Sequence, residues 1–309
     1  MERVQDLTRI RESLTRMQYE YVRPLSSGAF GSVHLVFSVK YQQEFVVKCI
    51  QGVKCSQIEN NPEIKSLLML CHPNIVEMYD YWQEADCIFI VFEYCNGGNM
   101  HDIIVEHGAL PFGSLLSYTK QIMSAIQFCH TNGISHSDIK PQNIIIDKHG
   151  RAKLADFGLS QIIQGGAISA YFHGSPLSLA PEVLKKVPYD PFKADIWSLG
   201  VTFYIMATGH APWKASSRSD YLNQIVSGTE IYYGGVNPEY SQFLQYMMDI
   251  EPSRRHTAVD LLSFKMFEDK SLIKKTNSGG FSSHLCCGFS KKSKRLRFHS
   301  SMKSILTFG

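Results

Sequence analysis

The chain lacks most of the features that mark membrane, secreted or metal-stapled proteins. No stretch approaches the ~20 consecutive apolar residues that a membrane helix needs. The N-terminus carries charged Glu2 and Arg3 and has no apolar core of a secretory signal. None of the eight cysteines forms a C-x-x-C pair, which disfavours a zinc site and a disulfide framework. We therefore expect an intracellular protein without a membrane-spanning helix.

The composition is that of a globular protein. The 309 residues are 44% hydrophobic, 19% charged and 12% aromatic, so wholesale disorder and a collagen-like repeat are excluded. The length suits one large domain or two medium ones, with a sizeable core.

The net charge of +3 is unevenly distributed. Residues 270–309 contain nine Lys and Arg residues and no acid, so this tail carries +9 and leaves −6 for residues 1–269. The tail has no clear hydrophobic period and includes a Ser/Gly-rich stretch at 278–283. We expect residues 270–309 to be mostly disordered.

Hydrophobic periodicity changes along the chain from strand-like to helix-like. Residues 4–17 have apolar side chains at steps of three and four, which predicts a short amphipathic helix. Short apolar runs between residues 19 and 50 predict antiparallel strands. Beyond a glycine-marked junction at 94–99, helical patterns dominate. The predicted elements after residue 50 are a helix at 63–70, a strand at 87–93, and helices at 115–130, 195–207, 239–249 and 258–264.

A glycine-rich turn between two predicted strands is the first candidate phosphate site. Gly28 and Gly31 have no Cβ, so backbone amides there could approach phosphate oxygens closely. Taken alone, two glycines in a hairpin more often form a purely structural turn. The candidate residues are Leu25, Ser26, Ser27, Gly28, Ala29, Phe30, Gly31, Ser32 and Val33.

Lys48 stands within the apolar strand pattern at 45–50. A buried ammonium needs an anionic partner, because burying it unpaired is costly. Glu63, on the next predicted helix, could supply that charge, although an exposed pair without a role would show the same pattern.

Two polar clusters flank a short apolar run. The first holds Asp138, Lys140 and Asn143, and the second begins with Asp156, 13 residues after Asn143 and across a predicted hairpin. Carboxylate and amide oxygens at this spacing could hold Mg²⁺ and orient a hydroxyl. Turn capping explains either cluster alone, but hardly both.

These motifs, in this order, resemble those of eukaryotic protein kinases across residues 19–269. We name residues 136–143 the catalytic loop and residues 156–182 the activation segment, as in that family. The resemblance rests on the glycine-rich turn, the strand lysine, the helix glutamate, the catalytic loop, Asp156-Phe157-Gly158, Ala180-Pro181-Glu182 and Asp195-Ile196-Trp197-Ser198-Leu199-Gly200.

The resemblance implies an α+β, two-lobed fold. A small lobe, at about residues 19–94, would contain an antiparallel sheet and one main helix, and a larger, mainly α-helical lobe would span about 99–269. An amphipathic extension, 1–18, would precede them and the basic tail, 270–309, would follow.

The resemblance also implies an ATP- and Mg²⁺-dependent serine/threonine kinase acting on protein substrates. Asp138 would accept the proton of the substrate hydroxyl, and Lys140 would stabilise the transferring phosphoryl group and favours Ser/Thr over Tyr acceptors. For ATP, the implied binding groups are the glycine-rich turn, Lys48 paired with Glu63, and the backbone of Glu93 and Cys95. For Mg²⁺, the implied ligands are Asn143 and Asp156.

Three further features would be structural. Phe92 would close the pocket behind the adenine, Glu182 and Arg255 would form a buried ion pair, and Asp195 would anchor the backbone of the catalytic loop.

Four departures from the family pattern carry hypotheses. Ser26 replaces the first glycine of the turn. Ser137 replaces the arginine that usually binds a phosphorylated activation segment, so we expect activity without phosphorylation at Tyr171 or its neighbours. Pro62 directly precedes Glu63, which predicts a short or a kinked helix, with the N-terminal segment bracing it.

The fourth departure concerns substrates. Asn99 and Gln142 stand where relatives that select basic substrates often carry acids, so strong selection for arginine is not expected, although the −6 body could attract basic proteins weakly. We expect a monomer with no specific nucleic-acid partner.

The tail leaves alternatives open. Cys286 and Cys287 beside basic residues would suit an acylated membrane anchor, the basic run would equally suit nuclear import, and a tail without a role is the third alternative. We expect a cytoplasmic protein, with the nucleus or a membrane as alternatives. The competing function is a pseudokinase scaffold that binds partners without catalysis.

Overall fold

The computed structural model describes residues 2–28, 31–52 and 58–268. The predictions for the basic tail, for Cys286 and Cys287, and for Ala29 and Phe30 of the glycine-rich turn lie outside these residues. In the described ranges, no helix combines the length and the apolar character that crossing a bilayer would require.

The small lobe is built on an antiparallel sheet. Its strands are β1 (Tyr19–Gly28), β2 (Gly31–Ser38), β3 (Gln43–Ile50), β4 (Met78–Glu84) and β5 (Cys87–Glu93), in the order β1-β2-β3-β5-β4. Successive side chains of a strand point to opposite faces. Phe45, Val47 and Cys49 of β3 therefore face one apolar cluster, which we call the back face, and Lys48 faces the other side, the cleft face.

The N-terminal helix α1 (Glu2–Arg16) covers the back face of the sheet. Ile10 and Leu14 are buried there among aromatic side chains of the strands. The indole N–H of Trp82 donates to the Ser13 hydroxyl at 3.1 Å, which fixes the helix to β4. The amphipathic helix predicted at the N-terminus is therefore confirmed, and its apolar stripe is what closes this side of the sheet.

The helix α2 (Pro62–Met69) packs on the opposite, cleft face. Asn61 caps it by accepting a hydrogen bond from the Ile64 amide at 3.1 Å, and Pro62 occupies its first position, where the missing N–H costs nothing. The short helix is thus confirmed in preference to a kinked one. The predicted bracing by the N-terminal segment is wrong, because α1 and α2 belong to separate apolar clusters on opposite faces of the sheet.

The large lobe is mainly helical and its axis is a buried helix. Its helices are α3 (Met100–His107), α4 (Phe112–Thr131), α5 (Pro181–Leu184), α6 (Pro191–Thr208), α7 (Arg218–Ser227), α8 (Pro238–Met247) and α9 (Ala258–Leu262). Asp190 caps α6 by accepting from the Phe192 amide at 2.8 Å, and most of the helix is buried between α4 and α8. The periodicity did not predict α3 and α7.

Two small pairs of antiparallel strands position the polar clusters. β6 (Ile134–Ser135) pairs with β9 (Gln161–Ile162), and β7 (Ile144–Ile146) pairs with β8 (Ala152–Leu154). The catalytic loop joins β6 to β7, and Asp156 follows β8, so both clusters emerge at one edge. One lobe contains the antiparallel sheet with α1 and α2 on its two faces, and the other lobe is mainly helical. The predicted α+β, two-lobed fold class is therefore confirmed.

Candidate active site

Three charged side chains from distant parts of the chain meet in the cleft. The Lys48 ammonium lies 2.6 Å from Glu63 Oε2 and 2.8 Å from Asp156 Oδ1. Lys48 is 8% exposed and Glu63 only 1%, whereas the Asp156 side chain keeps 36% of its surface accessible. One end of the ion triad is therefore sealed in the lobe, and the other is open to a bound ligand.

Burial and charge act against each other in this triad. Burial alone would lower the pKa of Lys48, but the carboxylates of Glu63 and Asp156 raise it above its ordinary value. Burial raises the pKa of Glu63, and Lys48 offsets part of that effect. Burial would also raise the pKa of Asp156, but the charge and hydrogen bond of Lys48 hold it below its ordinary value. The ion pairs thus favour the charged forms of Lys48 and Asp156, whereas burial opposes the charged form of Glu63.

Local packing holds Glu63 in place although α2 is short. The Ser66 hydroxyl of α2 lies 2.8 Å from the Ser160 hydroxyl, both buried, and Ser160 also donates to the Phe157 carbonyl at 2.6 Å. A Cβ on Gly158 would lie 3.3 Å from Asp156 Oδ1, tighter than ordinary contact, so a glycine there leaves room for the triad. The helix is tied to the activation segment by these contacts and by the ion pair.

Asp138 of the catalytic loop is held through both carboxylate oxygens. Oδ1 accepts from the Ser175 amide at 2.9 Å, and Oδ2 lies 2.9 Å from the Lys140 ammonium and 3.2 Å from Asn143 Nδ2. Lys140 also donates to the Ser175 hydroxyl at 2.8 Å. A carboxylate oriented in this way, with a cation beside it, can accept a proton from a hydroxyl placed in the cleft.

The backbone of the catalytic loop is anchored by a buried carboxylate of α6. Asp195 accepts hydrogen bonds from the amides of His136 and Ser137, both at 2.8 Å, and lies 3.0 Å from His130 Nε2. Ser137 adopts a left-handed conformation with φ of 65°, which these bonds sustain. The anchoring role expected of Asp195 therefore has its geometric counterpart.

The pairing of β7 with β8 brings the two candidate metal ligands to the same edge. Asn143 immediately precedes β7, Asp156 follows β8, and the Ala155 amide donates to the Asn143 carbonyl at 2.8 Å. Asn143 Nδ2 donates to the Asp138 carbonyl at 2.8 Å, so its Oδ1 remains as the ligand atom. One carboxylate and one amide oxygen form the hard donor set that Mg²⁺ prefers.

The described residues of the glycine-rich turn belong to β1 and β2, and β2 lies beside the strand of Lys48. In the register of the sheet Gly28 pairs with Gly31, and Val33 pairs with Lys48 across β2 and β3. Gly31 has φ of +117°, and a Cβ there would lie 2.1 Å from the Cys49 carbonyl oxygen, so only glycine fits. Leu25, Ser26, Ser27 and Ser32 lie on the two strands that lead into and out of the turn.

The last residue of β5 and the segment after it present backbone groups at the far end of the cleft. The Glu93 amide donates to the Glu77 carbonyl at 3.0 Å, and the Glu93 carboxylate lies 2.6 Å from Lys153 Nζ. Phe92 is buried in front of this segment, and burial raises the pKa of the Cys95 thiol to about 12. The side chain of Glu93 is thus engaged within the protein, and its carbonyl is the group that remains for a ligand.

The remaining structural pair lies beneath the activation segment. The Arg255 guanidinium binds both carboxylate oxygens of Glu182, at 2.6 and 2.8 Å, and stacks over the Trp197 ring at 4.9 Å. Both charged residues are buried. The expected buried ion pair is confirmed, and removing either partner would leave an uncompensated charge.

Several residues of the site were missed from the sequence. Lys153, buried in β8 against Glu93, shows the same signal as Lys48, a lysine inside an apolar strand, and could have been found in that way. Gln161 donates to the Ser137 hydroxyl at 3.1 Å and accepts from the Ser169 hydroxyl at 2.6 Å. Ser175 contacts Asp138 and Lys140. The sequence singled out Gly174-Ser175-Pro176 only as a sign of serine/threonine substrates, and it predicted neither Gln161 nor these contacts of Ser175, because their partners are fixed only by the fold.

Comparison with known sequences agrees with this geometry. The sequence model of the protein kinase domain matches residues 19–267. "Probable serine/threonine-protein kinase MARK-C" of Dictyostelium discoideum is 34% identical over 249 residues, which cover 79% of this chain and 32% of the relative. CBL-interacting protein kinase 14 of Oryza sativa subsp. japonica is 31% identical over 245 residues, 77% of this chain and 56% of the relative.

CBL-interacting serine/threonine-protein kinase 15 of Arabidopsis thaliana is 29% identical over 262 residues, which cover 82% of this chain and 62% of the relative. The chain thus spans between about a third and three fifths of the length of these relatives. The matched region contains every residue of the triad, the catalytic loop and the activation segment.

Proposed function

Because the chain belongs to the protein kinase family, we propose that it is an active serine/threonine kinase that transfers the γ-phosphoryl group of Mg-ATP to a hydroxyl of a protein substrate. The observation that carries the proposal is the assembled triad of Lys48, Glu63 and Asp156, with Asp138 and Asn143 at the same cleft. Phosphoryl transfer mainly requires positioning and charge neutralisation, and this set supplies both.

In the proposed complex, Lys48 binds the α- and β-phosphates while Glu63 keeps its side chain extended into the cleft. Asp156 and Asn143 Oδ1 would hold Mg²⁺, and the amides of the glycine-rich turn would cover the phosphates. Mg²⁺ would neutralise charge that develops on the phosphate oxygens. The Glu93 carbonyl and the Cys95 amide bind the adenine edge, since the Glu93 amide is already bonded to Glu77.

The proposed transfer step uses the hydrogen bonds of Asp138. The substrate hydroxyl oxygen forms a bond to the γ-phosphorus as the bond to the β,γ-bridging oxygen breaks, and the hydroxyl proton passes to Asp138. Ser175 and Lys140 hold the carboxylate in position for this. The proposed second role of Lys140, 2.9 Å from Asp138, is to stabilise the transferred group by its charge.

Ser137 supports a further part of the proposal, activity without phosphorylation of the activation segment. By the resemblance to the family pattern, it stands where an arginine would bind a segment phosphate, and it is uncharged. Instead, Gln161 links Ser137 to Ser169, and the Tyr189 hydroxyl donates to the Tyr171 carbonyl at 2.8 Å. The Ser169 and Tyr189 backbones also exchange two hydrogen bonds, at 2.8 and 2.9 Å. Neutral hydrogen bonds thus hold the activation segment in place. A phosphorylated segment would need a cation, such as an arginine, to be held in the same way.

The test is phosphate transfer from labelled ATP and Mg²⁺ to a serine and threonine peptide library. We expect Asp138→Asn to lower kcat by about 10²–10⁴-fold, the usual worth of a general base. Calorimetry should still detect Mg-ATP binding by this variant, because Asp138 is not one of the three residues of the triad. Glu239→Gln, the same chemical change on the exposed start of α8, should keep wild-type activity.

Three outcomes separate the candidate functions. Wild-type transfer that disappears in Asp138→Asn supports the kinase. Nucleotide binding without transfer by the wild type would instead favour the scaffold. Transfer that persists in Asp138→Asn would indicate a contaminating enzyme and overturn the assignment of Asp138.

A further inference from the structure

A groove of about 1230 Å³ runs away from the candidate active site along the large lobe. Its lining includes Asp138, residues of α3 and of the activation segment, and the segment that joins α6 to α7 as far as Arg218. Since Asp138 is the proposed general base, a polypeptide bound in this groove would have its acceptor residue near the site of transfer.

The floor of the groove is apolar. Ile104, Leu177, Val201 and Ile205 line it, and Trp213 closes one side with its indole N–H donating to the Thr229 carbonyl at 2.9 Å. Trp213 is buried and therefore fixed in position. Such a floor can bury apolar side chains of an extended segment without selecting their sequence.

The charge of the groove has a definite sign. Among its described lining residues the one carboxylate is Asp138, which Lys140 neutralises at 2.9 Å. Lys214 and Arg218, by contrast, are exposed, and within the described part of the chain neither forms an ion pair. His101, His173 and His210 also line the groove. Asp102, which contacts His101, and Asp220, which accepts from Ser216, lie next to lining residues without lining the groove. The unpaired charges of the lining are therefore those of Lys214 and Arg218, although residues 1–269 as a whole carry a net −6.

Two buried polar atoms of the wall have no hydrogen-bond partner within the described ranges. They are Thr202 Oγ1 and His101 Nε2. Thr202 is fully buried at the groove. Leaving a buried polar group unsatisfied costs about 1–3 kcal/mol, so a polar group of a bound chain that reached either atom would be stabilised.

We propose that this groove selects protein substrates with anionic residues in the segment that flanks the acceptor serine or threonine, bound by Lys214 and Arg218. The inference rests on the proposed kinase function and specifies its substrate class. Carboxylates and phosphorylated side chains share the required charge. Basic segments would meet these two cations and, among the described lining residues, only the neutralised carboxylate of Asp138, so they are disfavoured.

The test uses the full-length protein and peptides of one length with a single serine acceptor. Their flanking positions carry glutamate, phosphoserine, glutamine or arginine, placed before or after the serine in separate peptides. We expect kcat/KM to be about five- to tenfold higher for the glutamate than for the glutamine peptide, as for a few partly exposed ion pairs, and lowest for arginine. The difference should lie in KM and decrease at high salt.

The variant Lys214→Glu/Arg218→Glu should reverse the order of the glutamate and arginine peptides and leave the KM for ATP unchanged. The matched control is Lys185→Glu/Lys265→Glu, which makes the same charge change on exposed residues of the large lobe outside the groove. The control should keep the wild-type order. A higher rate with phosphoserine than with glutamate would identify prephosphorylated substrates as the source of the charge, and equal rates would identify acidic segments.

The proposal and the kinase function fail in different ways. If peptides are phosphorylated but arginine is preferred, or if Lys214→Glu/Arg218→Glu keeps the wild-type order, the groove assignment is wrong and the kinase function stands. If no peptide is phosphorylated, anisotropy of a fluorescent glutamate peptide still decides. If the wild type binds the glutamate peptide and Lys214→Glu/Arg218→Glu does not, the groove assignment stands although the kinase function fails. If the wild type does not bind the peptide, the groove assignment is wrong.

Discussion

The Ser137 hydroxyl accepts a hydrogen bond from the Gln161 side-chain amide at 3.1 Å. This contact joins the catalytic loop to the strand that follows Asp156, and Gln161 continues it to the Ser169 hydroxyl at 2.6 Å. The loop backbone at Ser137 is in turn held by Asp195. The position of the activation segment is thus coupled to that of Asp138, one residue away, through uncharged groups.

Gln161→Leu tests this coupling. It removes the donor to Ser137 and the acceptor for Ser169, and we expect kcat to fall about tenfold, because one to two hydrogen bonds of ordinary strength are lost. The KM for ATP should change little. Gln164→Leu, the same substitution at an exposed position of the same segment, is the control. Equal activity of the two variants in steady-state kinetics would show that the contact has no part in positioning the loop.

Phosphatase treatment should leave the activity unchanged. Ser169 is buried, Ser160 is bonded to Ser66, and Ser175 to Lys140, so these hydroxyls already have structural partners. Tyr171, 49% exposed, is the accessible acceptor. We expect Tyr171→Phe and the treated wild type to stay within about twofold of the untreated protein, since no arginine stands at position 137 to bind a phosphate. Mass spectrometry confirms the phosphorylation state, and a near-complete loss of activity on treatment would contradict the hypothesis.

The ion pair of Asp156 with Lys48 predicts a component of the pH dependence of stability. Because Lys48 holds the pKa of Asp156 below the ordinary 3.8, the folded state stabilises the ionised carboxylate. This contribution is complete above the pKa of the unfolded chain and is lost as the pH falls through the lower folded value. Urea denaturation between pH 7 and pH 3 should therefore show a smaller loss of stability for Asp156→Asn than for the wild type. Parallel curves would mean that the pair contributes nothing.

Leu14→Ala should destabilise the small lobe without affecting the chemistry of the cleft. Leu14 is fully buried on the back face, and such truncations cost about 2–5 kcal/mol. Because α1 and α2 occupy opposite faces of the sheet, we expect the free energy of unfolding to fall while the KM for ATP at low temperature stays unchanged. Arg9→Ala, on the exposed side of α1, is the control. A raised KM in Leu14→Ala with unchanged stability would revive the idea that the N-terminal helix acts on Glu63.

Many of the strands and helices were predictable because their apolar residues recur with the period of a strand or a helix. The strand at 87–93 is β5 to the residue, and the helices at 115–130 and 195–207 lie within α4 and α6. The helices α3 and α7 were not predicted, although Asn99 and Ser217 cap them. Both are short, and their apolar positions are too few for a clear period.

The pair of Lys48 with Glu63 was also predictable, since a lysine buried in an apolar strand needs an anionic partner, but its second partner, Asp156, was not predicted. The same reasoning applied to Lys153 would have identified its pair with Glu93. The role of α1 was predicted wrongly, because an amphipathic pattern shows that a helix packs but not on which face of a sheet.

Residue order along the chain is enough for the elements with a clear period and for a lysine that needs an anion, and its motifs imply the class of fold and the role of Asp138 through their resemblance to a family. That Asp156 joins Lys48 and Glu63 in one triad is shown only by the structure. Residue order says nothing of which neutral partners Ser137 finds, on which side of the sheet α1 packs, or that Lys214 and Arg218 line the same groove as Asp138. Those relationships join residues tens of positions apart, and only the packed arrangement of the lobes brings them within contact.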